Sequence, residues 1–174
     1  MTEACLGLGA NLGDREGQLA EALTRLDATD GIRIAAVSRV YRTAPWGVAL
    51  QPDFLNLCAR IETTLAPFDL LRICKYVERA IGRKVRAQWG PREIDVDVLM
   101  VEDVELVSEK LILPHPRLTV RRFVLEPLAE IAPDWQVQGR DIAQLAAALR
   151  RSDPAQVCEA DEAATARLAS LFKL

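Results

Sequence analysis

Phe54-Leu55-Asn56-Leu57-Cys58-Ala59-Arg60-Ile61-Glu62-Thr63 is the stretch whose reading decides the fold. Leu55, Leu57, Ala59 and Ile61 occupy alternate positions, and Phe54, Asn56, Cys58 and Arg60 occupy the others. A period of two is that of a strand with two chemically different faces. Downstream, Pro67 suits a first helical turn, where its missing N–H costs nothing. Leu70, Cys74, Val77 and Ile81 then recur at helical spacing, and Gly82 closes the segment. Upstream, Ile32 to Arg42 is rich in β-branched residues and reads as a strand. Thr43 to Asp53, with two prolines and a glycine, reads as a loop.

The same reading extends outward. Ala4 to Gly9 is a buried strand, and Asp14 caps a helix carrying Leu19, Leu23 and Leu26 up to Gly31. Arg83 to Arg92 is a basic loop, and Ile94 to Val101 is a strand. Glu102-Asp103 is a hairpin turn into Val104 to Val107. Pro114-His115-Pro116 is a rigid extended segment. Pro127 opens a short helix that Pro133 stops, and Asp141 caps a helix with Ile142, Leu145 and Leu149. Pro154 precedes a final Ala-rich helix to Leu174, with Leu168 and Leu171 apolar. Strands and helices mix without strict βαβ alternation. The pattern predicts an α+β fold with a largely antiparallel sheet covered by helices. Residues 1–174 are expected to form a single domain, with 150–174 a C-terminal helical extension packed on the core.

Composition excludes several function classes. The chain has 174 residues, 22 Lys and Arg against 25 Asp and Glu, and a formal net charge of −3. A sequence-blind nucleic-acid binder needs excess positive charge, so no nucleic-acid partner is expected. An RNA-binding sheet would also need exposed aromatics, and aromatics are 5% of residues. No apolar run approaches a membrane span, and Met1-Thr2-Glu3 lacks the basic start of a signal peptide. Cys5, Cys58, Cys74 and Cys158 form no CxxC pair, so buried, reduced thiols in a cytoplasmic protein are expected.

Asp95 and Asp97 are the sharpest chemical feature. In Ile94-Asp95-Val96-Asp97-Val98 the strand period puts both carboxylates on one face, about 7 Å apart. Such a pair repels unless a cation lies between, and Mg²⁺ takes hard oxygen ligands of this kind. Taken alone, an Asp-x-Asp reads more often as a solvated strand face. The adjacent loop with Arg83, Lys84, Arg86 and Arg92 shifts the balance, because guanidinium groups beside a metal site suit polyphosphate transfer. Phe54 and Asn56 share the other face of their strand. An aromatic beside an amide suits a planar heterocycle, although an edge-strand aromatic under a helix explains Phe54 equally well. His115 is the one histidine of the sequence and could donate to phosphate. No Walker loop or nucleophile elbow is present, and Gly7, Gly9 and Gly13 miss the dinucleotide-binding spacing.

Trp89-Gly90-Pro91-Arg92-Glu93-Ile94-Asp95-Val96-Asp97-Val98-Leu99 closely resembles the signature of the 6-hydroxymethyl-7,8-dihydropterin pyrophosphokinase family. The similarity extends to Leu6–Asp14, Tyr41–Gly47, Gln51–Asn56, Pro114–Leu118, Arg121–Leu125 and Ile131–Pro133, in family order over about residues 4–135. The resemblance implies a ferredoxin-like fold and transfer of pyrophosphate from ATP to the pterin hydroxymethyl group, giving AMP, in folate biosynthesis. It implies that Asp95 and Asp97 hold two Mg²⁺ ions. Phe54 and Phe123 would sandwich the pterin, and Asn56 would read its edge with backbone of Thr43, Ala44 and Trp46. Arg83 and Arg92 would be catalytic, stabilising the transferring group. Glu78, Trp89, His115 and Arg121 would lie at the nucleotide, with backbone around Val98 and Ile112 taking adenine. The small-molecule substrates ATP and pterin are the expected partners, for a monomer or alternatively a homodimer. Val85, Gln88, Thr119 and Val120 depart from the family pattern, and 150–174 resembles nothing in it. A catalytically weak paralogue that binds nucleotide or pterin is the rival reading.

Overall fold

The strand read from alternation, β4 (Phe54–Thr63), lies inside the main sheet of a computed structural model that describes residues 1–44, 51–84 and 90–173. Before it in the chain come β1 (Thr2–Ala10), α1 (Arg15–Asp27), β2 (Ile32–Val37) and β3 (Tyr41–Thr43). After it come α2 (Pro67–Ile81), β5 (Asp95–Val101) and the short strands β6 (Leu106–Val107), β7 (Ile112–Leu113), β8 (Gln136–Val137) and β9 (Arg140–Asp141). The sheet runs β10-β3-β4-β1-β5, where β10 is Cys158–Ala160, and β2 also pairs with β4. Every pairing in it is antiparallel. With β2 and β3, which both pair with β4, counted as one interrupted strand, the first part runs β-α-β-β-α-β, the ferredoxin-like arrangement.

One face of the sheet is closed by α1 and α2. Leu6, Leu8, Leu55, Leu57, Ile61, Val96 and Val98 pack there against Leu19, Leu23 and Leu26 of α1 and Leu70, Cys74 and Val77 of α2. Burying each such leucine contributes about 1.5–3 kcal/mol relative to leaving it in water. Local signals place both helices. The Asp14 side chain accepts from the Gly17 N–H at the start of α1. Pro67 opens α2, and Gly82 closes it at φ 106°, a left-handed conformation that glycine adopts without a Cβ clash.

Among the described residues, the opposite face is covered only in part. α3 (Arg122–Ile131) packs on β4, and α4 (Ile142–Ser152) packs on α3. Cys5, Cys58, Leu99 and Met100 of the sheet meet Leu125, Leu128, Ile142 and Leu145 there. β4 is therefore graded along its length. Cys58 lies under α3, while Phe54 and Asn56 stand in a cavity at the strand's start.

Several expectations are corrected. Ile32 to Arg42 forms two strands, because the chain breaks at Ser38, whose N–H bonds the Cys58 carbonyl while its hydroxyl accepts from the Cys58 N–H. The turn at Asp103 is present, with φ 56°, but β6 (Leu106–Val107) pairs with β7 (Ile112–Leu113) and not with β5. α3 starts at Arg122, five residues before Pro127, which stands inside the helix and cannot donate to the Phe123 carbonyl. Asp141 sits at the N-cap of α4, yet its side chain caps nothing and accepts from Gln136. The C-terminal stretch is not one helix: β10 joins the sheet beside β3, and α5 (Glu162–Leu171) follows. Ala164 and Leu168 of α5 enter the main core beside α1, while Leu171 is exposed.

Candidate active site

The site is built on a row of residues across the sheet. Tyr41 pairs with Asn56, Asn56 with Gly9, and Gly9 with Asp95. In the next row Cys58 pairs with Gly7, and Gly7 with Asp97. Adjacent strands are about 4.8 Å apart, so Asn56 and Asp95 stand two strands, or about 10 Å, from each other. Between them β1 presents glycine, and the result is a trough. A Cβ at Gly9 would meet Asn56 Oδ1 at 2.7 Å, so the trough and the Asn56 rotamer depend on that glycine. Asn56 is buried and donates to Thr43 Oγ1 at 2.8 Å.

The cavity above the trough is walled by Thr43, Ala44, Phe54, Arg92, Leu99, His115, Arg121 and Phe123 together with Asn56, Asp95 and Asp97. The Arg121 guanidinium lies over the Phe123 ring, 5.4 Å from its centroid. β5 carries a bulge at Leu99, since Leu6 pairs with Val98 and Cys5 with Met100. The Leu99 carbonyl at that bulge accepts the His115 N–H at 2.8 Å and so brings His115 to the cavity. His115 Nδ1 accepts from the Arg117 N–H at 3.2 Å. Burial, aided by Arg121, lowers the imidazole pKa against the pull of Asp97, so the ring is neutral at pH 7 and its Nε2–H is a donor.

At the Asp end the carboxylates of Glu78, Asp95 and Asp97 bring ligand oxygens within 4.8 Å of one another. Glu78 reaches them from α2. Its Oε1 accepts the Val96 N–H at 2.8 Å, and Lys75 Nζ donates to the Val96 carbonyl at 3.1 Å. The free edge of β5 is thus closed by two side chains of one helix turn, in place of a further strand. Lys75 Nζ also lies 2.7 Å from Glu78 and 3.4 Å from Asp97. Arg83 pairs with Glu78 at 2.7 Å and with Asp95, and Arg92 pairs with Asp95 at 2.6 Å. Burial pushes the Asp95 carboxyl up, but Arg83, Arg92 and Lys75 outweigh it and leave it below the usual aspartate value. At Glu78 burial wins over Lys75 and raises the carboxyl. Three oxyanions backed by three cations form a hard-oxygen donor set, and that chemistry fits Mg²⁺.

The bases of the two loops are joined beneath the cavity. Asn11, buried, bonds both backbone groups of Arg92: its N–H donates to the carbonyl at 3.1 Å, and its Oδ1 accepts the N–H at 2.8 Å. Its Nδ2 donates to Gln51 Oε1 and the Pro52 carbonyl at 3.1 and 3.2 Å.

A family model described as 7,8-dihydro-6-hydroxymethylpterin-pyrophosphokinase matches residues 5–133. The chain belongs to this family. A 2-amino-4-hydroxy-6-hydroxymethyldihydropteridine pyrophosphokinase of Methylorubrum extorquens is 47% identical over 157 residues, 90% of this chain and 98% of the relative. A Bacillus subtilis protein of the same name is 42% identical over 128 residues, 74% of this chain and 77% of the relative. A crystal structure of Plasmodium falciparum HPPK-DHPS with pteroate shares the fold at a TM-score of 0.70 and 15% identity. It is matched over 89% of this chain, which spans 43% of that longer one.

Of the residues singled out in the sequence, Thr43, Ala44, Phe54, Asn56, Arg92, Asp95, Asp97, His115, Arg121 and Phe123 share one cavity. Arg83 joins it through its ion pair with Asp95, and Glu78 through its ion pair with Arg83. Val98 and Ile112 are not on its wall: Val98 turns its side chain into the core, and Ile112 is exposed on β7. Trp46, Trp89, Val85 and Gln88 lie outside the described residues, as do the middles of both loops. Sequence reasoning missed Gly7 and Gly9, Asn11, and Lys75. Lys75 had a signal, its spacing of three from Glu78 on the apolar side of α2.

Proposed function

We propose that the chain transfers the β,γ-pyrophosphate of ATP to the hydroxymethyl oxygen of 6-hydroxymethyl-7,8-dihydropterin. The observation that carries this reading is the trough. An aromatic-walled amide, Asn56 with Phe54 and Phe123, lies about 10 Å by strand spacing from a three-carboxylate cluster backed by arginines. The distance suits a bicyclic ring at one end and phosphates at the other.

Phe54 and Phe123 stack on the pterin faces, and Asn56 pairs with the donor–acceptor edge of the ring. Asp95 and Asp97, with Glu78 beside them, would hold Mg²⁺, which would supply positive charge to offset the charge developing in transfer. Arg83 and Arg92, which pair with Asp95, would bring their charge to the phosphates. His115 donates from Nε2, and Arg121 adds a fixed charge beside Phe123. The hydroxyl oxygen forms a bond to the β-phosphorus as the bond from that phosphorus to the bridging oxygen breaks. AMP leaves with the electron pair, and the hydroxyl proton passes to solvent. Little covalent work falls to the protein, so alignment supplies most of the acceleration.

The test is ATP consumption with pterin, Mg²⁺ or protein omitted in turn. Turnover that requires all three, and that EDTA abolishes, is expected. ATP loss at the same rate without pterin would contradict the reading.

A further inference from the structure

The family match ends at Pro133, yet one wall of the site is held from beyond it. Arg121 is the N-cap of α3, in extended conformation at φ −122°, and its own side chain makes no capping bond. The first N–H of such a helix needs an acceptor from elsewhere. Gln156 supplies it. Gln156 Oε1 accepts the Arg122 N–H at 3.0 Å, and Gln156 Nε2 donates to the Val120 carbonyl at 3.1 Å. These are the backbone groups on either side of Arg121, so a single amide brackets the residue. Nε2 also donates to Asp153 Oδ2 at 2.7 Å, and the Gln156 carbonyl accepts from Arg122 Nη1 at 2.6 Å. The Arg122 guanidinium is in turn fixed by Glu126, which Arg150 of α4 also grips. Two residues on, Cys158 of β10 pairs with Thr43 on the facing wall.

We infer that Gln156 is a positioning residue for the transfer: it caps α3 from a distance and sets Arg121 and Phe123 for phosphate and ring. The inference rests on the proposed reaction for its substrates and on the hydrogen bonds alone for its geometry. Gln156 itself does not line the cavity, so it acts through Arg121 and Phe123. The remote cap also explains why α3 begins before Pro127, where no local signal marks a start.

The test compares Gln156→Ala with Asp27→Ala. Asp27 accepts the Ile34 N–H at 2.8 Å and lines no part of the cavity, so its loss is a matched control for stability. Both variants are expected to lower Tm. Gln156→Ala is also expected to reduce kcat/KM about tenfold, the worth of one to two hydrogen bonds, while Asp27→Ala leaves it unchanged. Gln156→Met keeps the length of the side chain, adds no charge beside Asp153, and loses both bonds that bracket Arg121, so its kcat/KM falls as far as that of Gln156→Ala. That variant decides the matter alone should the alanine variant not fold. A lowered Tm with kcat/KM within twofold of wild type in every folded Gln156 variant would overturn the inference. If wild type itself shows no turnover, the proposed reaction fails first, and calorimetric titration of pterin into wild type and the three variants decides Gln156 by the same ratios.

Discussion

At the scale of single residues, Asp95 and Asp97 look alike in sequence but are held differently. Asp95 carries Arg83 and Arg92, whereas Asp97 faces Lys75 at 3.4 Å. Either substitution to alanine is expected to lower turnover by about a thousandfold or more, since metal stabilisation of transferring phosphate is worth several kcal/mol. Stability should separate them. Asp95→Ala leaves the half-buried Arg92 without the Asp95 carboxylate and Arg83 with Glu78 alone, and costs about 1–3 kcal/mol, while Asp97→Ala costs under about 1 kcal/mol. Thermal unfolding of the metal-free proteins checks this, and equal losses would contradict the network. Gly9→Ala makes a second residue-scale prediction. Asn56 is bonded to Thr43 and cannot retreat from a Cβ at 2.7 Å. KM for pterin should rise about tenfold with KM for ATP little changed, as steady-state kinetics would show. The carboxylates were legible in the sequence because a strand's period is rigid. Gly9 was not, because its role depends on which residue sits across from it in β4.

Among elements, α3 shows most clearly what pattern reading leaves out. Its apolar residues and Pro133 were readable, but its start was set by Gln156, thirty-four positions away. Two carboxylates of the helix tie it to its surroundings. Glu130 holds Arg39 and Tyr41, and Glu126 holds Arg122 and Arg150. Burial alone would raise the Glu126 carboxyl, but its hydrogen bonds from Arg150 and Arg122 hold it below the usual glutamate value. A carboxyl lowered in the folded state adds stability above its unfolded pKa of about 4.3 and loses it as pH falls through the lower folded value. Tm measured from pH 6 downward should therefore fall more steeply below about pH 4 in wild type than in Glu126→Gln. Parallel curves would show that the tie carries no pH dependence. α1, α2 and β4 needed no such distant help: Asp14, Pro67 and Gly82 mark their helices locally, and alternation marks the strand.

Over the whole molecule, the ferredoxin-like strand order came with the resemblance, while an antiparallel sheet covered by helices was readable from the order of periodic segments. The C-terminal strand was not, because Cys158-Glu159-Ala160 is too short for its alternation to register. α5 then returns to the main core, so Leu168 is a core residue although it lies far outside the family match. Leu168→Ala should cost about 2–5 kcal/mol in urea unfolding and leave kcat/KM unchanged, whereas a change below about 1 kcal/mol would contradict its burial. The proposed chemistry turns on phosphates that lie so that the β-phosphorus, and not the γ-phosphorus, meets the hydroxyl. Its most direct test is phosphorus NMR of the products formed from ATP, Mg²⁺ and 6-hydroxymethyl-7,8-dihydropterin. AMP and a pterin diphosphate in equal amounts are expected. ADP with a pterin monophosphate would contradict it.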